Sequence, residues 1–259
     1  MTDAHVHLER GPYTAEWTAE FAASAKRAGI TELCLLEHSY LFREFLPLYG
    51  TLRRSSDFID RWLSRKDTGR SLDAYFRFIE TVRKQDFGIN IRFGLEICFL
   101  PDQLPHIERL ITRTPLDFRV GSVHFIDHFA FDHTPELWQG IDVDRAYRRF
   151  FEHSVDLAGC GLFDGLAHPD SVKLFGHTPS AALALDKAYD TLAAALAKSG
   201  MYAEQNSGIS RRTSAEPGMA PALYAAMKRH CVPIRTASDA HCPADVGSGI
   251  RYFYENHLI

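Results

Sequence analysis

The sequence predicts an α/β fold of seven strand–helix units, with parallel strands and a sheet closed or nearly closed into a barrel. Three observations carry this. Short β-rich runs alternate with helical patterns, seven such units fit a chain of 259 residues, and strand-like runs lead into histidines or carboxylates. Strand, helix, strand in repetition implies parallel strands joined by crossover helices. A doubly wound open sheet satisfies the same rhythm and stays open as the alternative at this stage.

The elements follow in order. The first strand, Met1–Val6, leads through MTDAHVHLE, where alternation puts Asp3, His5 and His7 on one face. The helical pattern Thr14–Ala28 is followed by Gly29, placed as a C-terminal cap, and the strand Glu32–Leu36 runs into Glu37 and His38. Tyr40–Arg70 then breaks the rhythm: it is aromatic and charged, without a clean strand. It reads as a lid-like excursion covering one end of the barrel. Next come the helix Leu72–Lys84, the strand Ile91–Phe99 with Glu96, the helix Gln103–Thr112 and the strand Phe118–Phe125 with His124. The helix Asp144–Ala158 precedes a capping Gly161, and the strand Leu162–Ala167 runs into His168. Ala181–Lys198 is rich in Ala, Leu and Lys, strong helix formers, and ends before Gly200. Met201–Glu204 leads to Asn206, and the helix Ala220–His230 and the strand Val232–Ala237 lead to Asp239 and His241. With no linker, repeat or low-complexity tract, residues 1–259 read as one domain containing the 40–70 excursion.

Composition narrows the function classes. Hydrophobic residues at 46% and charged residues at 24% are ordinary for a soluble globular chain. A net charge of −4 gives no general attraction to nucleic acid or an anionic membrane. No apolar run is long enough to span a bilayer, and the N-terminus does not resemble a signal peptide, so a cytoplasmic location is expected. Five cysteines without a Cys-x-x-Cys pair read as reduced thiols. Association into a homo-oligomer stays open. The unusual count is thirteen histidines, the commonest metal ligand.

An H-x-H by itself is equally well explained by two surface histidines. The set is harder to dismiss: Glu37, His38, Glu96, His124, His168, Glu204, Asn206, Asp239 and His241 all fall near strand ends. In an α/β barrel those ends converge on one face, where active sites are built. A catalytic zinc takes about three protein ligands, so this set implies two or three divalent ions. Histidine and carboxylate without thiolate suit zinc, manganese or iron alike.

DAHVHLE, LLEHS, FGLEICF, VGSVHF, LAHPD and SDAHCPADVG resemble the successive motifs of the PHP (polymerase and histidinol phosphatase) superfamily, from Asp3 to about Gly247. GSVHFIDHFAFD, GLFDGLAHPDSVKLFG and EQNSGISRR resemble its histidinol-phosphatase branch. The resemblance implies a distorted (β/α)7 TIM-like barrel and a metal-dependent phosphomonoesterase. It also implies a division of ligands: His5, His7, Glu96 and Asp239 for a first ion, Glu96 bridging to a second on His124 and His168, and His38 with His241 for a third. Relatives carry a further histidine after the H-x-H. LERGPYT has none, and Glu9 stands in as a hard oxygen ligand, the competing reading being a surface carboxylate paired with Arg10.

For the reaction, the resemblance implies hydrolysis of L-histidinol phosphate to L-histidinol in histidine biosynthesis. A metal-bridging hydroxide, supported by Glu96, Asp239 and His241, is the expected nucleophile, with no covalent enzyme intermediate. Lys173, Arg211, Arg212 and, more weakly, Arg43 are candidates for the phosphate, with one of Arg211 and Arg212 facing the site. Glu204 and Asn206 are candidate substrate contacts, Glu204 alternatively supporting a ligand, and His128 or Asp132 could contact substrate or donate a proton, the competing reading being loop filling. His106, His133, His153, His177, His230 and His257 receive no role. Rival readings are a phosphoesterase for another small phosphate or nucleotide, an amidohydrolase-type C–N hydrolase, and a non-catalytic metal-binding module. The glycine turn followed by arginines favours phosphate over C–N chemistry.

Overall fold

Seven strands form one sheet in chain order: β1 (Thr2–His7), β2 (Glu32–His38), β3 (Asn90–Cys98), β4 (Phe118–Ser122), β5 (Gly165–Leu166), β6 (Tyr202–Asn206) and β7 (Ile234–Ala237). The structure, a computed structural model, describes residues 1–66, 69–112, 114–213 and 216–259. Every neighbouring pair is parallel. The edges meet where Val6 bridges Ala240 and the His7 N–H donates to the Ala240 carbonyl at 2.8 Å. This is a nearly closed barrel. The open doubly wound alternative fails because consecutive strands are neighbours throughout and the first strand returns to the last.

Alternation along the strands separates two apolar layers. Cys34, Leu36, Phe118, Val120, Ala167 and Tyr202 form a small cluster of their own. The intervening Leu33, Leu35, Phe93, Leu95 and Ile97 instead join Phe21, Ile79, Leu157, Leu192 and Leu223 of the surrounding helices. Fully burying each such large side chain contributes about 1.5–3 kcal/mol, so both faces of every strand are driven inward. The same pleat puts Leu36 and His38 on one face and Glu37 on the other.

The helices start where side chains satisfy their free N–H groups. Thr14 caps Ala15–Arg27, Ser71 caps Leu72–Val82 and Asp142 caps Val143–Gly159, each accepting from a backbone N–H at 3.0–3.2 Å. Gly200 ends Leu185–Ser199 in the left-handed conformation (φ 73°), as its position predicts. That helix begins later than Ala181. β4 and β5 are shorter than the runs Phe118–Phe125 and Leu162–Ala167, and only two residue pairs join them.

The 40–70 excursion contains short 3-10 turns (Ser39–Leu41, Leu46–Tyr49) and two helices, Gly50–Ser55 and Asp57–Lys66. Ile59 and Leu63 anchor the longer helix, and a Phe42–Arg70 bridge ties the ends of the segment together. Residues 67 and 68 of this segment lie outside the described residues. Among the described residues no helix is long and apolar enough to cross a membrane. All five cysteines are free thiols.

Candidate metal centre

Each chemically active group sits on a strand or a few residues past its C-terminal end. His5 and His7 lie on β1, His38 ends β2 and Glu96 lies on β3. His124 and His168 follow β4 and β5, and Asp239 and His241 follow β7. Parallel strands bring all of these ends to one mouth.

Glu96 is the hub. Its Oε1 stands 3.1 Å from both His124 Nε2 and His168 Nε2. Its Oε2 stands 2.5 Å from His38 Nδ1, 3.6 Å from His5 Nε2 and 3.7 Å from His7 Nε2. Asp239 Oδ1 lies 3.7 Å from His5 Nε2 and 3.5 Å from His7 Nε2. His241 Nε2 is 3.4 Å from His38 Nε2 and 3.7 Å from Glu9 Oε1. Three groups have ligand atoms within 4.8 Å of one another: His5, His7 and Glu96; Glu96, His124 and His168; His7, His38 and His241.

This donor set fits divalent cations. His5 Nε2 and His7 Nε2 face each other at 2.9 Å, where only one of them can carry a proton. His7 Nδ1 and His168 Nδ1 are buried without hydrogen-bond partners. Leaving such atoms unsatisfied costs about 1–3 kcal/mol each. Buried lone pairs converging from imidazoles and carboxylates are what a metal site requires.

The electrostatics agree. Burial raises the Glu96 carboxyl, but His38, His124 and His5 overcome it and hold its pKa well below the usual range. Asp239 is likewise raised by burial and held well below by His5, His7 and His241. Burial pushes His5 down, yet Glu204, Glu96 and Asp239 hold it well above its ordinary value. His7 is pushed well below by burial and by the neighbouring charges of His38 and His241.

A supporting layer aims these groups. Glu204, fully buried, accepts from His5 Nδ1 at 2.9 Å, from the His168 N–H at 3.2 Å and from Asn206 Nδ2 at 3.0 Å. Asn206 Oδ1 in turn accepts from the Gly208 N–H at 2.8 Å. A Cβ on Gly208 would lie 2.7 Å from the Cβ of Asp239, so this turn can pass the ligand only as glycine. Asp3, raised to about 6 by burial, accepts from the Ser238 N–H and Oγ and from the Gly247 N–H, tying β1 to the loop that bears Asp239. His168 (φ 29°) and Asp239 (φ 54°) have positive φ, backbone strain of the kind found at functional sites.

Above the cluster opens a cavity of about 910 Å³, lined also by Arg211, Arg212, Asp132, His133, Trp62 and Lys66. Several expectations are corrected here. Lys173 does not line it: its ammonium donates to Asp170 at 2.8 Å and to the Gly218 carbonyl at 2.6 Å, bracing a loop. Arg43 projects outward and pairs with Glu44. His128 is exposed and lines a separate small cavity beside Asp127 and Arg149 instead of this mouth. Both Arg211 and Arg212 line the cavity, rather than one, because each is held by a carbonyl: Asp239 O at 2.7 Å and Asp132 O at 2.6 Å. Glu204 and Asn206 line the cavity but spend polar atoms on each other, His5, His168 and Gly208. Glu37, although next to His38, lies on the opposite face and joins none of the three groups. Glu9 lines the cavity and is paired with Lys66 and His241, each at 3.7 Å, and not with Arg10.

Sequence reasoning missed His133 and the particular excursion residues that line the wall. His133 donates from Nδ1 to Asp132 at 2.6 Å. Phe58, Trp62 and Lys66 recur every four residues on one helix and line the cavity together, a spacing that was readable in the sequence.

The PHP domain family matches residues 3–208. A Deinococcus radiodurans protein described as a probable histidinol-phosphatase is 28% identical over 254 residues, covering 95% of this chain and 88% of its own. A Schizosaccharomyces pombe protein of the same description is 33% identical over 104 residues, 37% of this chain and 34% of its own. Among solved structures, the histidinol phosphate phosphatase of Lactococcus lactis, complexed with zinc, L-histidinol and phosphate, superposes with a TM-score of 0.69 at 19% identity. The superposition covers 98% of this chain and 92% of that one.

Proposed function

The chain belongs to the PHP domain family, and on that premise we propose that it is a metal-dependent phosphomonoesterase hydrolysing L-histidinol phosphate to L-histidinol and phosphate. The observation that carries the reading is the convergence of Glu96, Asp239 and six imidazoles beneath a cavity flanked by two arginines. The Deinococcus relative, similar over almost its whole length, and the Lactococcus enzyme, bound to the corresponding products, support the substrate.

In this reading His5, His7, Glu96 and Asp239 hold one divalent ion. Glu96 is shared with a second ion on His124 and His168, and His38 and His241, with Glu9, hold a third. Zinc, manganese or iron fits these donors. Bound ions supply Lewis acidity for phosphate-ester hydrolysis, acidifying water and neutralising phosphoryl oxygens.

The chain's own residues do the rest. Arg211 and Arg212 bring guanidinium donors to the phosphoryl group, matching its geometry. Their attachment to backbone carbonyls fixes those donors before substrate arrives, so little ordering remains to oppose binding. Glu204 fixes the His5 ring and the His168 backbone together, coupling two ligand groups through one carboxylate. Trp62, Tyr40 and Phe58 exclude water from the far side.

The test is phosphate release from L-histidinol phosphate beside a panel of other small phosphates and nucleotides. Dialysis against a chelator is expected to abolish turnover, and manganese or zinc to restore it. Turnover of the panel with none on histidinol phosphate would overturn the substrate. The cavity, at the large end of small-ligand sites, is the reason to include nucleotides.

A further inference from the structure

The cavity's acidic side chains differ in what they have left to offer. Asp170 takes the Lys173 ammonium at 2.8 Å and the Ala220 N–H at 2.7 Å, both on Oδ2, so a fixed cation already faces it. Asp245 Oδ2 accepts from Cys242 and sits 3.8 Å from Arg211 Nε, a cation again. Glu9 has Lys66 and His241, and Glu204 is occupied by His5, His168 and Asn206. Among the described residues, Asp132 has only imidazoles as ion-pair partners. Its Oδ1 takes His133 Nδ1, while Oδ2 faces His124 Nε2 at 4.0 Å and no donor among the described residues bonds it.

The aim of that free oxygen is fixed from two directions. His133 is wedged among Trp62, Phe125 and Phe58, with ring centroids 4.5, 5.5 and 5.9 Å away, so the imidazole that grips Oδ1 has no room to turn. Arg212 donates to the Asp132 carbonyl and holds the backbone. Neither contact is made to Oδ2. The result is an oriented carboxylate oxygen beside the His124–Glu96–His168 group, within the breadth of a bridging atom from it.

That location matches one feature of the proposed substrate. In L-histidinol phosphate the ammonium is on the carbon next to the one bearing the ester oxygen. Whatever binds this ammonium must therefore stand beside the groups that bind the phosphoryl, and not at the outer end of the cavity. We propose that Asp132 seats the substrate ammonium through Oδ2, with His133 as its positioning residue, and so makes the site selective for phosphate esters of vicinal amino alcohols. This inference rests on the phosphatase reading above and names the feature of the substrate that the site selects.

The experiment compares L-histidinol phosphate with its desamino analogue, an imidazolylpropyl phosphate whose leaving alkoxide is similar. Asp132→Asn is expected to lower kcat/KM for histidinol phosphate about 100-fold, chiefly in KM, because an ammonium loses its charged partner. The desamino analogue is expected to change by about threefold or less, and bound metal per chain to stay at the wild-type level. His133→Phe is expected to give a smaller KM increase with the same selectivity, and Asp132→Glu to recover part of the loss. Equal losses on both substrates would overturn the proposal in favour of proton donation to the alkoxide. A loss of bound metal would overturn it in favour of a ligand role, and unchanged selectivity would remove the seat altogether. If the wild-type enzyme hydrolyses neither ester, the phosphatase reading itself fails, and the seat with it.

Discussion

The two sides of the cavity are built on different principles. On the barrel side, His5, His7, His38, Glu96, His124, His168, Asp239 and His241 sit on or just past strands whose positions are set by ladder hydrogen bonds. On the opposite side, Tyr40, Phe58, Trp62, Arg65 and Lys66 come from one irregular excursion between β2 and β3. The barrel side is acidic and imidazole-rich, with buried lone pairs pointing inward. The excursion side is aromatic and cationic. The candidate ligands thus sit on the part of the fold with the least conformational freedom, and an insert supplies the wall across the cavity from them.

Three substitutions test that division. Glu96→Ala should have the largest effect, because one carboxylate faces five imidazoles. Turnover is expected to fall by roughly 10³-fold or more, with bound metal falling in parallel by elemental analysis. Near-normal turnover would mean that the barrel side is not the reactive one. Glu204→Gln probes the supporting layer: it keeps the shape and removes the charge behind His5, with an expected loss of about 10–100-fold in metal affinity or activity. Retained affinity would show that the His5 orientation survives without its carboxylate partner. Trp62→Ala on the excursion should be mildest, raising KM by about tenfold while kcat stays within about twofold. A fall in kcat as large as that of Glu204→Gln would erase the proposed distinction between the two sides.

How much of this was legible follows the same line. The strand-end ligands could be read because a strand has a period of two and a barrel sends its strand ends to one mouth. Adjacent residues such as Glu37 and His38 were readable only as a pair, and the pleat had to choose between them. Lys173, Arg43 and His128 looked suitable by type and position. Their side chains are directed by partners that no local spacing reveals: Asp170 and the Gly218 carbonyl for Lys173, Glu44 for Arg43, and the loop beside Asp127 for His128. His133 was passed over because its importance comes from Asp132 beside it and from Trp62, which is remote in sequence.

By itself, the sequence determined the seven-unit parallel architecture and the histidines and carboxylates near the strand ends, since both rest on short-range periodicity repeated along the chain. Tertiary structure alone decided which of the adjacent candidates face inward, that both arginines reach the cavity, that Glu204 serves His5, and that Asp132 keeps one oxygen free. Those outcomes depend on contacts between residues far apart in the chain. A long side chain such as Lys or Arg can reach several partners at similar cost, and the surrounding packing selects among them.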